Sequence, residues 1–358
     1  MWPYFMLVGL PAAIAIYGEQ GGKTQRTNRY VIDAFFLVWL LLLCLRSTSV
    51  GTDIYTYESW YNSIKQLPIK EVMNLAISLK QELGFLIFYK ICGILGINFR
   101  GVLILVALIS LWPIWRLYRK ESVELPFLSI VIFLAIGLFG IFFSAMRQII
   151  AIAFSPYAYY CTRQKNWAGF LATVLIASLF HKSALILMAM YPMYHLNFRK
   201  RSSLGAVILI TAAVFFFRNS IFRFLTKAFS RTIAVTETGA ISILLLLIIL
   251  AIYSFFMVDN RAIDAEMIGL RNILFVCILI QVFASVNTLA MRLNYYFLLF
   301  IPLLVPKIAM RCDLRNRKIA IASVVVMTVF FTGMYFVKAY TGEDILQIYP
   351  YIPMWAQT

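Results

Sequence analysis

The chain has 358 residues, of which 62% are hydrophobic and 13% charged, and its mean hydropathy is +0.85. A soluble domain is nearer half apolar and a quarter charged, so a soluble catalytic domain is excluded and an all-α polytopic membrane bundle is expected. The formal charge of +17 does not point to nucleic acid, because the basic residues punctuate apolar runs, as in oriented membrane helices, instead of forming one basic face on a soluble fold.

With roughly 17–25 apolar residues per crossing, the sequence predicts about twelve spans in a single domain: 1–18, 30–46, 102–117, 125–143, 148–162, 167–181, 184–196, 204–217, 239–258, 267–290, 293–309 and 318–336. The first has no Lys or Arg before Lys23 and reads as an uncleaved span, since a cleaved signal peptide starts with a basic region. A large segment, 47–101, separates the second span from the third, and its residues 47–82 are the longest polar stretch of the chain. Within it, Leu83 to Ile97 is short, holds Lys90 and three glycines, and fits a re-entrant or interfacial helix. If this piece does not cross, Lys23/Arg26/Arg29, Arg116/Arg119/Lys120, Arg163/Lys165, Arg199/Lys200/Arg201 and Lys307/Arg311/Arg315/Arg317/Lys318 all share one side. Lys and Arg are then more than twice as dense per residue on that side, which makes it cytoplasmic. The net acidic loop Asp259–Glu266 is the exception. If the piece crosses, everything on one side of it inverts.

The five cysteines (Cys44, Cys92, Cys161, Cys277, Cys312) show no CxxC spacing and read as packing residues. There are two histidines and no DxD pair. Neither a His-rich metal site nor a DxD metal clamp is expected, and no cofactor.

The topology gathers several polar residues on the outer side. Asp53 follows Gly51-Thr52 just after the second span, Arg147 stands between the fourth and fifth, His181 closes the sixth, and Arg292 lies between the tenth and eleventh. Loop 218–238 adds Arg218, Arg223, Lys227 and Arg231. An ionisable residue at the edge of a span is costly and is a functional candidate by default. Each has a plainer reading as well. Arg147 and Arg292 would snorkel to head groups, His181 with Lys182 would be an interfacial pair, Asp53 would cap a helix, and the basic residues of 218–238 would face solvent or head groups. Guanidinium forks bind phosphate bidentately and keep their charge. The aromatic residues Tyr55, Tyr57, Trp60 and Tyr61, with Tyr340, Tyr349, Tyr351 and Trp355 of the tail, fit either sugar stacking or the ordinary interfacial belt.

Four stretches carry a resemblance. Ser49-Val50-Gly51-Thr52-Asp53-Ile54-Tyr55-Thr56-Tyr57 is similar to a "G-T-D-x-x-x-Y" segment, and Glu82-Leu83-Gly84-Phe85 to an "E-x-G-[FY]" piece. Arg147-Gln148-Ile149-Ile150-Ala151, followed by Ala177-Ser178-Leu179-Phe180-His181-Lys182-Ser183-Ala184, follows an "R-Q-x-x-A … A-x-x-F-H-x-S-A" order. Arg292-Leu293-Asn294-Tyr295-Tyr296-Phe297, then Pro302 and Pro306, resembles an "R-x-x-Y-F" segment. Together they resemble the EpsG-like branch of the Wzy-type bacterial polysaccharide polymerases. The resemblance implies an enzyme of the cytoplasmic (inner) membrane with its site facing outward. Such an enzyme moves a growing glycan from undecaprenyl pyrophosphate onto a new lipid-linked repeat. Its fold would be akin to the membrane glycosyltransferases that use lipid-phosphate donors.

On that reading the catalytic residues are Arg147, His181, Arg292 and Asp53. The arginines would stabilise the leaving pyrophosphate, and Asp53 or His181 would serve the acceptor hydroxyl as base or orienting group. Tyr57, Glu82, Arg218, Arg223 and Tyr295 are the expected substrate contacts. The implied partners are the lipid-linked oligosaccharide, membrane lipid, and a chain-length regulator and flippase of the same pathway. A lipid-linked oligosaccharide flippase, a glycan ligase or other membrane transferase, and a non-catalytic assembly subunit are the alternatives.

Overall fold

The computed structural model describes residues 2–20, 25–78, 81–122, 124–228, 241–258, 263–313, 315–319, 321–323, 325–326, 330, 333, 337, 341, 344 and 346–356. Among them all extended regular structure is helical: α1 Trp2–Gln20, α2 Gln25–Leu45, α3 Ile54–Ile64, α4 Ile69–Ser78, α5 Leu83–Ile94, α6 Phe99–Glu121, α7 Pro126–Ala135, α8 Met146–Ile152, α9 Ser155–Arg163, α10 Trp167–Phe180, α11 Met190–Tyr194, α12 Arg201–Ala228, α13 Ile241–Phe256, α14 Ala265–Ala284, α15 Thr288–Leu298 and α16 Ile301–Arg311. Short polar side chains start several of them. Asn98, Asn166 and Asp264 each accept the amide three residues on, and Asn287 accepts that of Leu289, satisfying donors that a helix start leaves open.

The expected count of about twelve full spans is not reached by helix length. Among the described residues four helices are long and apolar enough to cross a bilayer: α2, α6, the Arg201–Phe224 part of α12, and α14. A fifth forms if α15 and α16, bent by 50° at their junction, make one crossing. The other apolar runs are interrupted. The run at 125–143 stops at Ala135, turns at Gly137 (φ +73°) and resumes as a 3-10 turn at Gly140–Phe143. The run at 148–162 divides into α8 and α9, with Pro156 in the first turn of α9. The run at 184–196 is a 3-10 stretch, Lys182–Ala189, followed by the short α11. Hydropathy does not distinguish a turn from a helix inside an apolar run. The span predicted at 318–336 lies partly outside the described residues, as does half of the loop 259–266, and Lys23, Arg231 and Tyr340 lie wholly outside them.

The helices fall into two compact units, Met1–Leu185 with Thr328–Thr358, and Ile186–Met327. In the first, α2 packs against α1, α6 and α7. One end of this bundle carries ion pairs: Arg119 Nε meets Asp33 at 2.9 Å, Trp115 Nε1 donates to Asp33 at 2.8 Å, and Arg163 meets Glu121 at 2.9 Å. At the other end Arg100, in the first turn of α6, donates to the Arg46 carbonyl just after α2, and Arg46 donates to the Phe143 carbonyl. Segment 47–98 therefore leaves and returns at the same end of the α2–α6 pair. Its three helices have 11, 10 and 12 residues, and at about 1.5 Å per residue none is long enough to cross. A lone crossing at α5 is incompatible with that return.

In the second unit α14 is the central helix, touching α11, α12, α13, α15 and α16. Buried Arg271 donates to the Ser254 and Phe198 carbonyls and lies 3.7 Å over the Phe255 ring. Asn272 donates to the Met193 and Leu196 carbonyls, and Asn294 to Gln281. The basic stretch from Arg218 is helical as far as Ala228, as the last turns of α12.

Candidate functional site

Two of the residues that sequence analysis placed at span ends, Arg147 and His181, meet Glu82 at the second end of the first unit. Glu82 precedes α5 with extended backbone, and its side chain does not cap that helix. Its carboxylate turns the other way. Oε2 stands 2.6 Å from Arg147 Nη1, and Oε1 stands 3.1 Å from His181 Nδ1. The Gln81 side chain accepts from the same Arg147 nitrogen at 2.8 Å. The guanidinium lies 5.3 Å over the Trp60 ring, a cation–π distance.

Local backbone features make this meeting possible. His181 leaves α10 with extended φ and ψ (−158°, 119°), so its ring turns off the helix axis toward Glu82. Gly84 lets α5 approach the end of α10, since a Cβ there would lie 2.9 Å from the Leu179 carbonyl oxygen and 3.0 Å from Leu179 Cβ. Arg147 sits in the first turn of α8, directly after the Phe143–Ser144 turn. Gly51, at φ +110°, passes so near that turn that a Cβ would lie 1.9 Å from the Phe143 carbonyl oxygen. The glycines of both short motifs are thus places where two backbones touch.

A tail segment completes this end. The amides of Gly51 and Thr52 donate to the carbonyls of Gln347 and Leu346, and Ser47 N to that of Ile352. Ser144 Oγ donates to the Leu346 carbonyl and accepts from Thr52 N. The Asp344 carboxylate holds the tail's turn by accepting from the amides of Leu346, Ile348 and Tyr349. Tyr351 is tied to the Leu42 carbonyl at 3.0 Å and so acts in packing.

Glu82 is the inner member of the cluster, with 8% of its side chain exposed against 24% for Arg147 and 27% for His181. Burial alone would raise its pKa. The His181 hydrogen bond and the Arg147 charge outweigh that and hold it at about 2, below the ordinary 4.5. Tyr57 of α3 is buried against Arg147, and burial raises its phenol while the arginine opposes the rise. Asp53 stands at the start of α3, makes no capping hydrogen bond and adds its charge to the field at Tyr57. The capping role that the sequence allowed for Asp53 is not taken up.

The structure therefore groups Asp53, Tyr57, Glu82, Arg147 and His181 in one unit. Glu82, expected among the substrate contacts, is engaged by two protein side chains. Arg292 and Tyr295 on α15, and Arg218 and Arg223 on α12, belong to the second unit. There Tyr295 is buried beside Arg292, and Arg218 donates to the Phe215 carbonyl and lies 4.2 Å over the Phe215 ring. Sequence reasoning missed Gln81 and the place of Trp60 under Arg147. Trp60 lies three residues after Tyr57, on the same helical face, and Gln81 adjoins Glu82. Among the described residues no group of His, Cys, Asp and Glu is placed to hold a metal ion.

Neither the curated proteins nor the solved structures include a match to this chain. The model of the EpsG family matches residues 29–352, nearly the whole chain, so the chain belongs to the EpsG family, which is related to the Wzy-type polysaccharide polymerases.

Proposed function

We propose that the protein is a membrane glycosyltransferase that polymerises lipid-pyrophosphate-linked oligosaccharide repeats at the outer face of the cytoplasmic membrane. The observation that carries this reading is the Arg147–Glu82–His181 cluster, in which a buried carboxylate holds a cation and an imidazole side by side, both partly exposed. Glu82 accepts the proton-bearing Nδ1 of His181, so Nε2 is left as the basic nitrogen. That nitrogen takes the proton of the acceptor sugar hydroxyl. The hydroxyl oxygen then bonds to the anomeric carbon of the donor glycan, and the bond from that carbon to the pyrophosphate oxygen breaks. Undecaprenyl pyrophosphate leaves with the electron pair, and Arg147 neutralises the charge that develops on it. Trp60 supports the guanidinium and offers a face to a sugar ring. Asp53 is placed to orient a sugar hydroxyl. The outward orientation is supported by the other end of the unit, which carries Arg116, Arg119, Lys120, Arg163 and Lys165.

The test is complementation of a gene deletion with Arg147→Ala, His181→Ala or Glu82→Gln, with the surface glycan resolved on a gel and the protein level checked in the membrane. Loss of a preorganised charge contact costs about 2.7–4 kcal/mol in the barrier, or about 100–1000-fold in rate. The expected outcome is single-repeat glycan from Arg147→Ala and His181→Ala at normal protein level. Full-length ladders from both would overturn the reading, and repeats trapped on the cytoplasmic side would indicate a flippase instead.

A further inference from the structure

Helix α4 has three faces where an ordinary surface helix has two. At about 100° per residue, buried Val72 and Ala76, with half-buried Leu75, form the face turned to the protein, where α4 packs on α5. Lys70, Glu71, Asn74 and Ser78 form an exposed polar face. Between these two runs a stripe of Ile69, Met73 and Ile77, spaced four apart and 53%, 49% and 77% exposed. Such a stripe is unfavourable in water, and a contiguous apolar patch marks a contact surface. At the C-terminal end of α5, the helix that α4 packs on, Ile91, Ile94 and the following Leu95 are also exposed.

We infer that α4 lies along the membrane surface at the site end of the first unit, with Ile69, Met73 and Ile77 among the phospholipid chains and Lys70 at head-group level. Three observations select lipid as the occupant. Segment 47–98 leaves and returns at one end of the membrane-spanning pair α2 and α6, which sets α4 at the height of the bilayer surface. The apolar stripe adjoins the polar face along the length of α4, the arrangement of an interfacial helix. Lys70 flanks the stripe on α4, Lys65 precedes α4 and Lys90 lies on α5, with Lys90 Nζ donating to the Lys65 carbonyl at 3.0 Å, and their charge complements anionic head groups. The inference rests on the faces of α4 and holds whatever reaction the neighbouring cluster performs.

The test places p-benzoylphenylalanine singly at Ile69, Met73, Ile77, Glu71, Asn74 and Ser78 of the otherwise unaltered chain, all exposed positions. The protein is irradiated in native membranes and its intact mass measured. Phospholipid adducts at the three apolar positions are expected at about five times or more the level at the three polar ones. Equal adduct levels at both sets, or crosslinks from the stripe to another protein or a second copy, would overturn the inference. A measurement without substitution supports it: in phospholipid nanodiscs Met73 should resist hydroxyl-radical oxidation. Oxidation of Met73 as fast as in the urea-unfolded chain would count against the inference.

Discussion

Glu82 meets donors from two segments distant in sequence, Arg147 and the His181–Lys182 pair. A carboxylate with only 8% of its side chain exposed is tolerated because it is paired on both oxygens. Its pKa of about 2 lies below the ordinary 4.5, a difference worth roughly 3 kcal/mol at most. A depressed carboxylate stabilises the fold above its unfolded pKa, and that contribution fades as pH falls from about 4.5 to about 2. The stability difference between the wild type and Glu82→Gln should therefore be constant above about pH 5 and shrink below it. Thermal unfolding in detergent across pH 3–7 measures this, and a difference that grew toward acid pH would contradict the assignment. Arg147 and His181 were legible in the sequence, because an ionisable residue at the edge of an apolar run stands out, and Glu82 was legible only through the resemblance of its short motif. Their partnership was not, since Glu82 lies 65 residues from Arg147 and 99 from His181, and no periodicity reports a contact at that separation.

Two backbone crossings set the elements of the site in place. At Gly51 an added Cβ meets the Phe143 carbonyl oxygen at 1.9 Å in a backbone conformation, φ +110°, that other residues rarely adopt. Gly51→Ala should therefore lower stability by about 1–3 kcal/mol or more and reduce the level of folded protein in the membrane. At Gly84 the clash is milder, 2.9 Å from the Leu179 carbonyl oxygen, and the backbone is ordinary. Gly84→Ala should leave the protein in the membrane but push α5 from α10 and lengthen the Glu82–His181 contact. On the proposed function its signature is shortened glycan at near-normal protein level, and shortened glycan with normal stability at Gly51 but not Gly84 would reverse the ranking. These glycines were readable as motif members, while the reason for each lies in a neighbour from another part of the chain. Helix boundaries were readable where an Asn or Asp cap marks them, as at Asn98 and Asp264. They were not readable inside uniformly apolar runs, where Gly137 and the 3-10 turns divide what hydropathy joins.

The first unit as a whole has two unlike ends, one with the Arg119–Asp33 and Arg163–Glu121 pairs and one with the Glu82 cluster. A membrane-impermeant maleimide applied to intact cells should react with Thr52→Cys and Asn98→Cys to a similar extent, above the background of the unaltered chain. Lys120→Cys should react only after permeabilisation. Reaction of Thr52→Cys and Asn98→Cys from opposite sides would mean that α5 crosses. This unit is also discontinuous, with the second unit, Ile186–Met327, inserted between Leu185 and Thr328. Tyr351 bonds to the Leu42 carbonyl across 309 positions, and Leu346 to Ser144 across 202. During translation Asp53, Glu82, Arg147 and His181 all emerge before the second unit does, while the strap that ties Gly51–Thr52 to Ser144 emerges after it. A nascent chain halted anywhere within the second unit thus carries every residue of the cluster without the strap, and completion of this end of the first unit waits on a segment translated after the second unit.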